Sequence, residues 1–383
     1  MRPWKWCVSF ILEEIIKIFW LLPIDKKKIL FFSFEGKQFS DSPKYISEFI
    51  KQNYADYKIY WAFIEKKEFK FLKGKYRTIG YKSIDFIFHF ITAKIIITND
   101  SVRSFLPVRK KQIFLNTWHG GTPLKTCGLA EASTSDDTLK VLKHYEKKYT
   151  AYLSSSKFMS EEVFRKSFNY HGAILEFGMP RNAILLREHK EIKNKVYRYF
   201  DINMNKRLVL YAPTFRDGTN SASFLSDNMK LDVSSCLDSL KKRFGGSFCF
   251  LFRAHHAMAD KHYDDRFLSA TDYPDMQELL CAADVLITDY SSCMGDMALM
   301  YKPVFLYAPD LMSYIKNRGF YWDIHSLPFP LAGTNLDLSD VILHFDVQNY
   351  KRDVDVYFEK LGSFESVDSI EKTCRWLFQK VNE

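Results

Sequence analysis

Three polar strings follow apolar runs and hold the residue types that could move a phosphate. The first is Asn116-Thr117-Trp118-His119-Gly120-Gly121-Thr122-Pro123-Leu124-Lys125, directly after Ile113-Phe114-Leu115. A histidine at a strand end can serve as a general base near neutral pH. Gly120 and Gly121 let the backbone approach a ligand, and Thr122-Pro123 reads as the N-cap and first turn of a helix. The same string also reads as a capped turn with a structural histidine. The second string is Leu251-Phe252-Arg253-Ala254-His255-His256. Its arginine can grip a phosphate bidentately and a histidine can donate to one; taken alone it is also a charged strand terminus. The third, Thr288-Asp289-Tyr290-Ser291-Ser292, precedes a helical pattern from Met294 to Met300. Two serines at a helix start offer hydroxyls, free N–H groups and the positive dipole end, a seat for phosphate. The bland alternative is an ordinary serine N-cap.

Three smaller strings complete the set: Tyr211-Ala212-Pro213-Thr214-Phe215-Arg216-Asp217, Gly178-Met179-Pro180-Arg181-Asn182 and Arg318-Gly319-Phe320-Tyr321-Trp322-Asp323. Together these supply arginines, hydroxyls and histidines, and the simplest ligand for them is a nucleoside diphosphate. No G-x-G-x-x-G follows an apolar run, and there is no Walker loop or His-Glu-x-x-His, which disfavours dinucleotide redox and zincin chemistry. Asp353-x-Asp355 sits in a polar tail and reads as solvated surface. The seven cysteines include no Cys-x-x-Cys pair, so neither a disulfide framework nor a zinc site is expected. No metal or other cofactor is expected, because arginines and helix starts can neutralise a diphosphate.

Strand ends must present these strings. Apolar runs at Ile29–Phe32, Ile59–Ala62, Ile95–Ile97, Ile113–Leu115 and Tyr152-Leu153 alternate with helical patterns near 43–53, 82–92, 137–149, 158–168 and 182–200. The alternation restarts with Leu208–Tyr211, Phe248–Phe252, Val285–Ile287 and Val304–Tyr307, and a last helical pattern spans 367–381. Continuous apolar strands of this kind belong to parallel sheets covered on both faces. With 383 residues, two domains are expected. The expected fold is α/β, two Rossmann-like domains facing a cleft. The boundaries read as 28–203 and 204–383, after an N-terminal segment 1–27.

That segment is not a signal peptide, since Glu13, Glu14 and Lys17 interrupt its apolar stretch and no small-residue cleavage site follows. It also lacks the roughly 18 uncharged apolar residues of a spanning helix. Trp4, Val8, Ile11, Leu12, Ile15, Ile16, Phe19 and Leu22 instead form a helical stripe, followed by Lys26-Lys27-Lys28. This pattern suits an amphipathic helix in an anionic membrane interface, or a helix packed on the body. A formal net charge of +9 suits anionic partners generally.

In this order, the strings are similar to those of the CDP-glycerol glycerophosphotransferase family of teichoic acid and capsule synthesis. The match uses residues 118–125, 178–182, 211–217, 253–255, 288–292 with Asp296, and 318–323. To these it adds Phe34-Glu35-Gly36-Lys37-Gln38-Phe39-Ser40-Asp41-Ser42-Pro43. The resemblance implies a glycosyltransferase-B-type fold peripherally attached to the cytoplasmic face of a bacterial membrane. It also implies CDP-glycerol as donor, CMP as leaving group and a polyol-phosphate or glycan acceptor, lipid-linked or not; nucleic acid is not an expected partner. By position, His119 is the expected base, His255 and Arg253 face the diphosphate, and Ser291 and Ser292 hold a phosphate. Gly120, Gly121, Thr122, Lys125, Arg181, Thr214, Arg216, Asp217, Asp289, Arg318 and Asp323 line the substrate site. The family usually has one glycine after Trp-His, where this chain has Gly120 and Gly121. It commonly has Pro-His-Pro where this chain has Ala254-His255-His256, and the spacing favours His255. CDP-ribitol, a nucleotide-sugar glycosyltransferase of the same fold, and a non-catalytic scaffold stand as alternatives. The absence of an evident polymer-tracking domain leans toward primase-like or short-chain transfer.

Overall fold

The computed structural model describes residues 3–131, 134–214, 230–253 and 267–383. They form two compact units: residues 1–119, 127–183 and 363–383, and residues 120–126 and 184–362. The sequence reading placed the boundary at 203/204. The structure divides the chain at 183/184, and two segments change sides because their side chains pack with the unit distant in sequence.

The first unit holds a seven-stranded, all-parallel sheet: β1 (Asp25–Phe32), β2 (Lys58–Phe63), β3 (Arg77–Gly80), β4 (Ala93–Thr98), β5 (Ile113–Asn116), β6 (Ala151–Leu153) and β7 (Ala173–Leu175). Their order is β3-β2-β1-β4-β5-β6-β7. Ile29 to Phe32 and Ile95 to Ile97 have no exposed surface, as strands covered on both faces require. The helices α1 (Pro3–Lys17), α2 (Asp41–Asn53), α3 (Ile84–Thr92) and α4 (Asp136–Glu146), together with a π-helical segment Met159–Ser167, belong to this unit. The order reverses between β1 and β4, so the C-terminal ends of these two strands are the topological switch point, where such sheets bind ligands.

The second unit repeats the plan. Strands β8 (Arg207–Tyr211), β9 (Phe248–Phe252), β10 (Leu268–Ser269), β11 (Val285–Thr288), β12 (Val304–Tyr307) and β13 (Leu331–Ala332) are parallel in the order β10-β9-β8-β11-β12-β13. Its switch point lies between β8 and β11. The helices are α5 (Lys190–Tyr199), α6 (Val233–Phe244), α7 (Met276–Ala282), α8 (Cys293–Ala298), α9 (Leu311–Arg318), α10 (Asn335–Leu343) and α11 (Val347–Leu361); α12 (Ser369–Asn382) returns to the first unit. Two corrections concern helix starts. No helix begins at Thr122-Pro123, because Thr122 Oγ1 instead donates to the Ser292 carbonyl at 2.9 Å. The helix after Ser292 ends at Ala298 and has only six residues, so its macrodipole is small.

Candidate active site

At the first switch point, three strand ends converge on His119. Phe34 follows β1, Asn99 follows β4, and His119 lies three residues beyond β5. Asn99 is fully buried, and its Oδ1 accepts the Phe34 N–H at 2.9 Å, tying the β1 end to the β4 end. The Asn99 carbonyl lies 2.8 Å from His119 Nδ1. A carbonyl can only accept, so Nδ1 carries the proton, and in the neutral ring Nε2 is left as the acceptor. That is the tautomer a general base needs.

The ring is also held by its neighbours. Trp118 lies 4.4 Å from it, centroid to centroid, and Phe34 5.7 Å. Trp118 has φ of 54°, a left-handed conformation that costs a bulky residue energy and commonly marks a functional constraint. It is kept there by its N–H donating to Asn116 Oδ1 at 2.9 Å and by edge-on packing against Phe168 of the turn after the π-helical segment. The His119 carbonyl accepts from Arg181 Nη1 at 2.5 Å, and the same nitrogen donates to Asp41 Oδ2 at 2.8 Å. Asp41 and Arg181 are both 5% exposed. Asn99 and Asp41 carry this geometry, yet the sequence reading did not single either out as a site residue. The available signals were a polar Asn99-Asp100 pair ending an apolar run and the Asp41 of the 34–43 loop.

The second unit assembles its own cluster at its switch point. Asp289 follows β11 and accepts from Thr214 N at 2.8 Å and Thr214 Oγ1 at 2.5 Å, clipping the ends of β8 and β11 together. Arg253 follows β9; its Nη1 donates to the carbonyls of Ala270 at 3.2 Å and Tyr273 at 2.6 Å. Burial lowers its pKa, with Asp275 working against that. Arg253 lies within electrostatic reach of Cys293, the first residue of α8, next to half-buried Ser291 and Ser292. The segment 120–126 joins this unit: Thr126 Oγ1 donates to the Arg318 carbonyl at 2.6 Å, Lys125 bridges to Phe320, and Tyr321 N donates to the Leu124 carbonyl. Gly120 is half-buried and Gly121 buried, and neither has a positive φ. Asp323 is exposed and caps a short 3₁₀ turn through His325 N. His255, Arg216 and Asp217 lie outside the described residues. Among the described residues no group of His, Cys, Asp and Glu is placed to hold a metal, and no helix is long and apolar enough to cross a membrane.

Comparison with known proteins gives one consistent result. The sequence model described as CDP-Glycerol:Poly(glycerophosphate) glycerophosphotransferase matches residues 14–379. The chain is 30% identical over 382 residues to a teichoic acid poly(glycerol phosphate) polymerase of Bacillus spizizenii, covering 95% of each chain. It is 29% identical to the polymerase of that name from Bacillus subtilis, covering 94% of this chain but only 49% of that one. It thus spans about half the length of that relative. A solved structure of the wall teichoic acid polymerase TagF soaked with CDPG is similar with a TM-score of 0.83 and 25% identity, covering 98% of this chain and 94% of that one.

Proposed function

The chain belongs to the CDP-glycerol:poly(glycerophosphate) glycerophosphotransferase family, and on that premise we propose that it transfers glycerol phosphate from CDP-glycerol to an acceptor hydroxyl in teichoic acid synthesis, releasing CMP. One observation carries the chemistry: His119 stands at a switch point with Nδ1 committed to the Asn99 carbonyl and Nε2 left to accept a proton. The acceptor oxygen forms a bond to the phosphorus that bears glycerol, the bond from that phosphorus to the CMP oxygen breaks, and the hydroxyl proton passes to Nε2. Charge develops on the phosphoryl oxygens, so the rest is positioning and electrostatic stabilisation. Within the second unit, Arg253 and the Ser291 and Ser292 hydroxyls are groups of the kind that hold a diphosphate, with the short α8 adding little. The relative matched over 95% of both chains is named a polymerase.

A peripheral place on an anionic membrane completes the proposal. Phe10, Ile11, Ile15, Ile18, Phe19 and Leu21 are exposed, Leu21 by 92%, while Ser9 and Ile16 face the body. Lys26, Lys111 and Lys380 lie close enough to Lys94 to lower its pKa after burial has done so. Exposed apolar side chains and a cluster of lysines are each features that suit an acidic lipid surface. The deciding experiment is a donor panel. CDP-glycerol should yield CMP, UDP-glucose should yield nothing, and His119→Ala should lower turnover by about two to four orders of magnitude. Release of CDP would mean attack at carbon and overturn the mechanism. Turnover with CDP-ribitol alone would keep the chemistry and change the polyol.

A further inference from the structure

The sequence presents Arg181 as one more cation for an anionic substrate, and in the structure its Nη1 is engaged within the protein. Arg181 sits in a 3₁₀ turn, Pro180–Ile184, and is almost completely buried. Its Nη1 donates one hydrogen to Asp41 Oδ2 at 2.8 Å and one to the His119 carbonyl at 2.5 Å. Asp41 is itself constrained: its φ is 63°, and its Oδ1 accepts the Ser42 N–H at 2.5 Å. The Arg181 N–H in turn reaches Ser42 Oγ at 3.4 Å. A left-handed aspartate, a buried arginine and the main chain of the expected base form one connected path within the first unit.

We propose that Asp41 is a positioning residue, acting through Arg181 on the His119 main chain to hold the imidazole where Nε2 can take the acceptor proton. This rests on the reading of His119 as the base. The Asn99 carbonyl sets the tautomer, and Trp118 and Phe34 pack on the ring, but none of these holds the His119 carbonyl, so the main chain that carries the ring keeps its freedom to turn. Fixing the His119 carbonyl removes that freedom, and it also supports the strained Trp118 peptide immediately before it. The carboxylate is needed because a lone buried guanidinium would turn toward other acceptors; Asp41 orients it and balances its charge.

The test is a double-mutant cycle on the full chain, read as CMP release from CDP-glycerol with thermal unfolding alongside. Asp41→Asn, close in volume to the native residue, should lower kcat by about 10- to 100-fold, with KM for CDP-glycerol changed less than about twofold. In a His119→Ala background, Asp41→Asn should cost nothing further, because the group it positions is gone. If Asp41→Asn lowers the rate by the same factor in both backgrounds, the positioning role fails while the base reading stands. If His119→Ala alone retains wild-type turnover, the base reading fails, and this inference with it. A raised KM with unchanged kcat would return Arg181 to substrate binding. Should Asp41→Asn not fold, the paired Asp41→Ala, Arg181→Met variant removes both members of the ion pair. It should recover the wild-type melting temperature but not kcat, whereas recovery of both would make the ion pair structural only.

Discussion

At the scale of single residues, the site is set by groups that look unremarkable in sequence. Asn99 supplies a carbonyl to the histidine and a side-chain oxygen to the Phe34 amide, so one buried residue fixes both the tautomer and the approach of two strand ends. Asp289 does the corresponding work in the second unit by accepting from the Thr214 N–H and hydroxyl. Gly295 is a third case. A Cβ at this position would collide with the Thr122 side chain, so glycine in α8 is what lets segment 120–126 lie against that helix. Gly295→Ala should therefore destabilise the protein by about 1–3 kcal/mol, the usual cost of overpacking, and lower CMP release. Adding Thr122→Gly should recover part of both. A Gly295→Ala protein with native melting temperature and turnover would show that the loop yields without consequence.

At the scale of elements, α1 has a side fastened to the first unit and a side turned away from it. Ser9 Oγ meets Ser104 Oγ at 2.6 Å, and Glu13 Oε2 lies 3.8 Å from both Lys148 Nζ and His144 Nε2. Lys148 is buried, which pushes its pKa down to about 8, and its Nζ donates to the Ser104 and Leu106 carbonyls. Arg109 holds the following turn through the Trp20 and Leu22 carbonyls. Deleting the whole segment would therefore damage the body as well as any membrane contact. The cleaner variant is Phe10→Ser, Ile11→Ser, Ile18→Ser, which alters only exposed side chains. It should keep the melting temperature, lose most co-sedimentation with anionic vesicles, and make the remainder more salt-sensitive. Unchanged vesicle binding would assign that apolar face another purpose.

At the scale of the whole molecule, the last twenty-one residues belong to the first unit. Phe364 N donates to the Ser155 carbonyl at 2.8 Å, and Glu365 accepts from Met179 N at 3.0 Å and Asn182 Nδ2 at 2.9 Å. Phe378 of α12 packs on Tyr54 and Tyr57 with ring centroids 4.2 and 4.8 Å away, and Cys374 and Leu377 are fully buried. Removing residues 363–383 should thus loosen the N-terminal sheet. Hydrogen exchange should accelerate in β5 and β6 and stay unchanged in β8 and β11. Equal acceleration in both sheets would mean that the two unfold as one cooperative block.

The sequence by itself determined the interior of both sheets. β1, β2, β4, β5 and β6 in the first unit and β8, β9, β11 and β12 in the second all coincide with apolar runs, because burial on both faces writes a continuous hydrophobic signal into neighbouring residues. It also placed His119, Arg253 and the Ser291-Ser292 pair at strand ends, and its resemblance to the glycerophosphotransferase family agrees with the family match. Only the tertiary structure decided the rest. β3, β7, β10 and β13, the strands the periodicity did not reveal, are the four sheet edges, where half-exposed runs of two to four residues carry little pattern. Thr122 reads locally as a helix cap, yet it bonds a carbonyl 170 residues away. Arg181 reads as a free cation, yet it is held by an aspartate 140 residues before it. Local sequence encodes which residues are buried; which polar group meets which is settled when distant segments close on one another, as Asp41 and Arg181 do behind the His119 main chain.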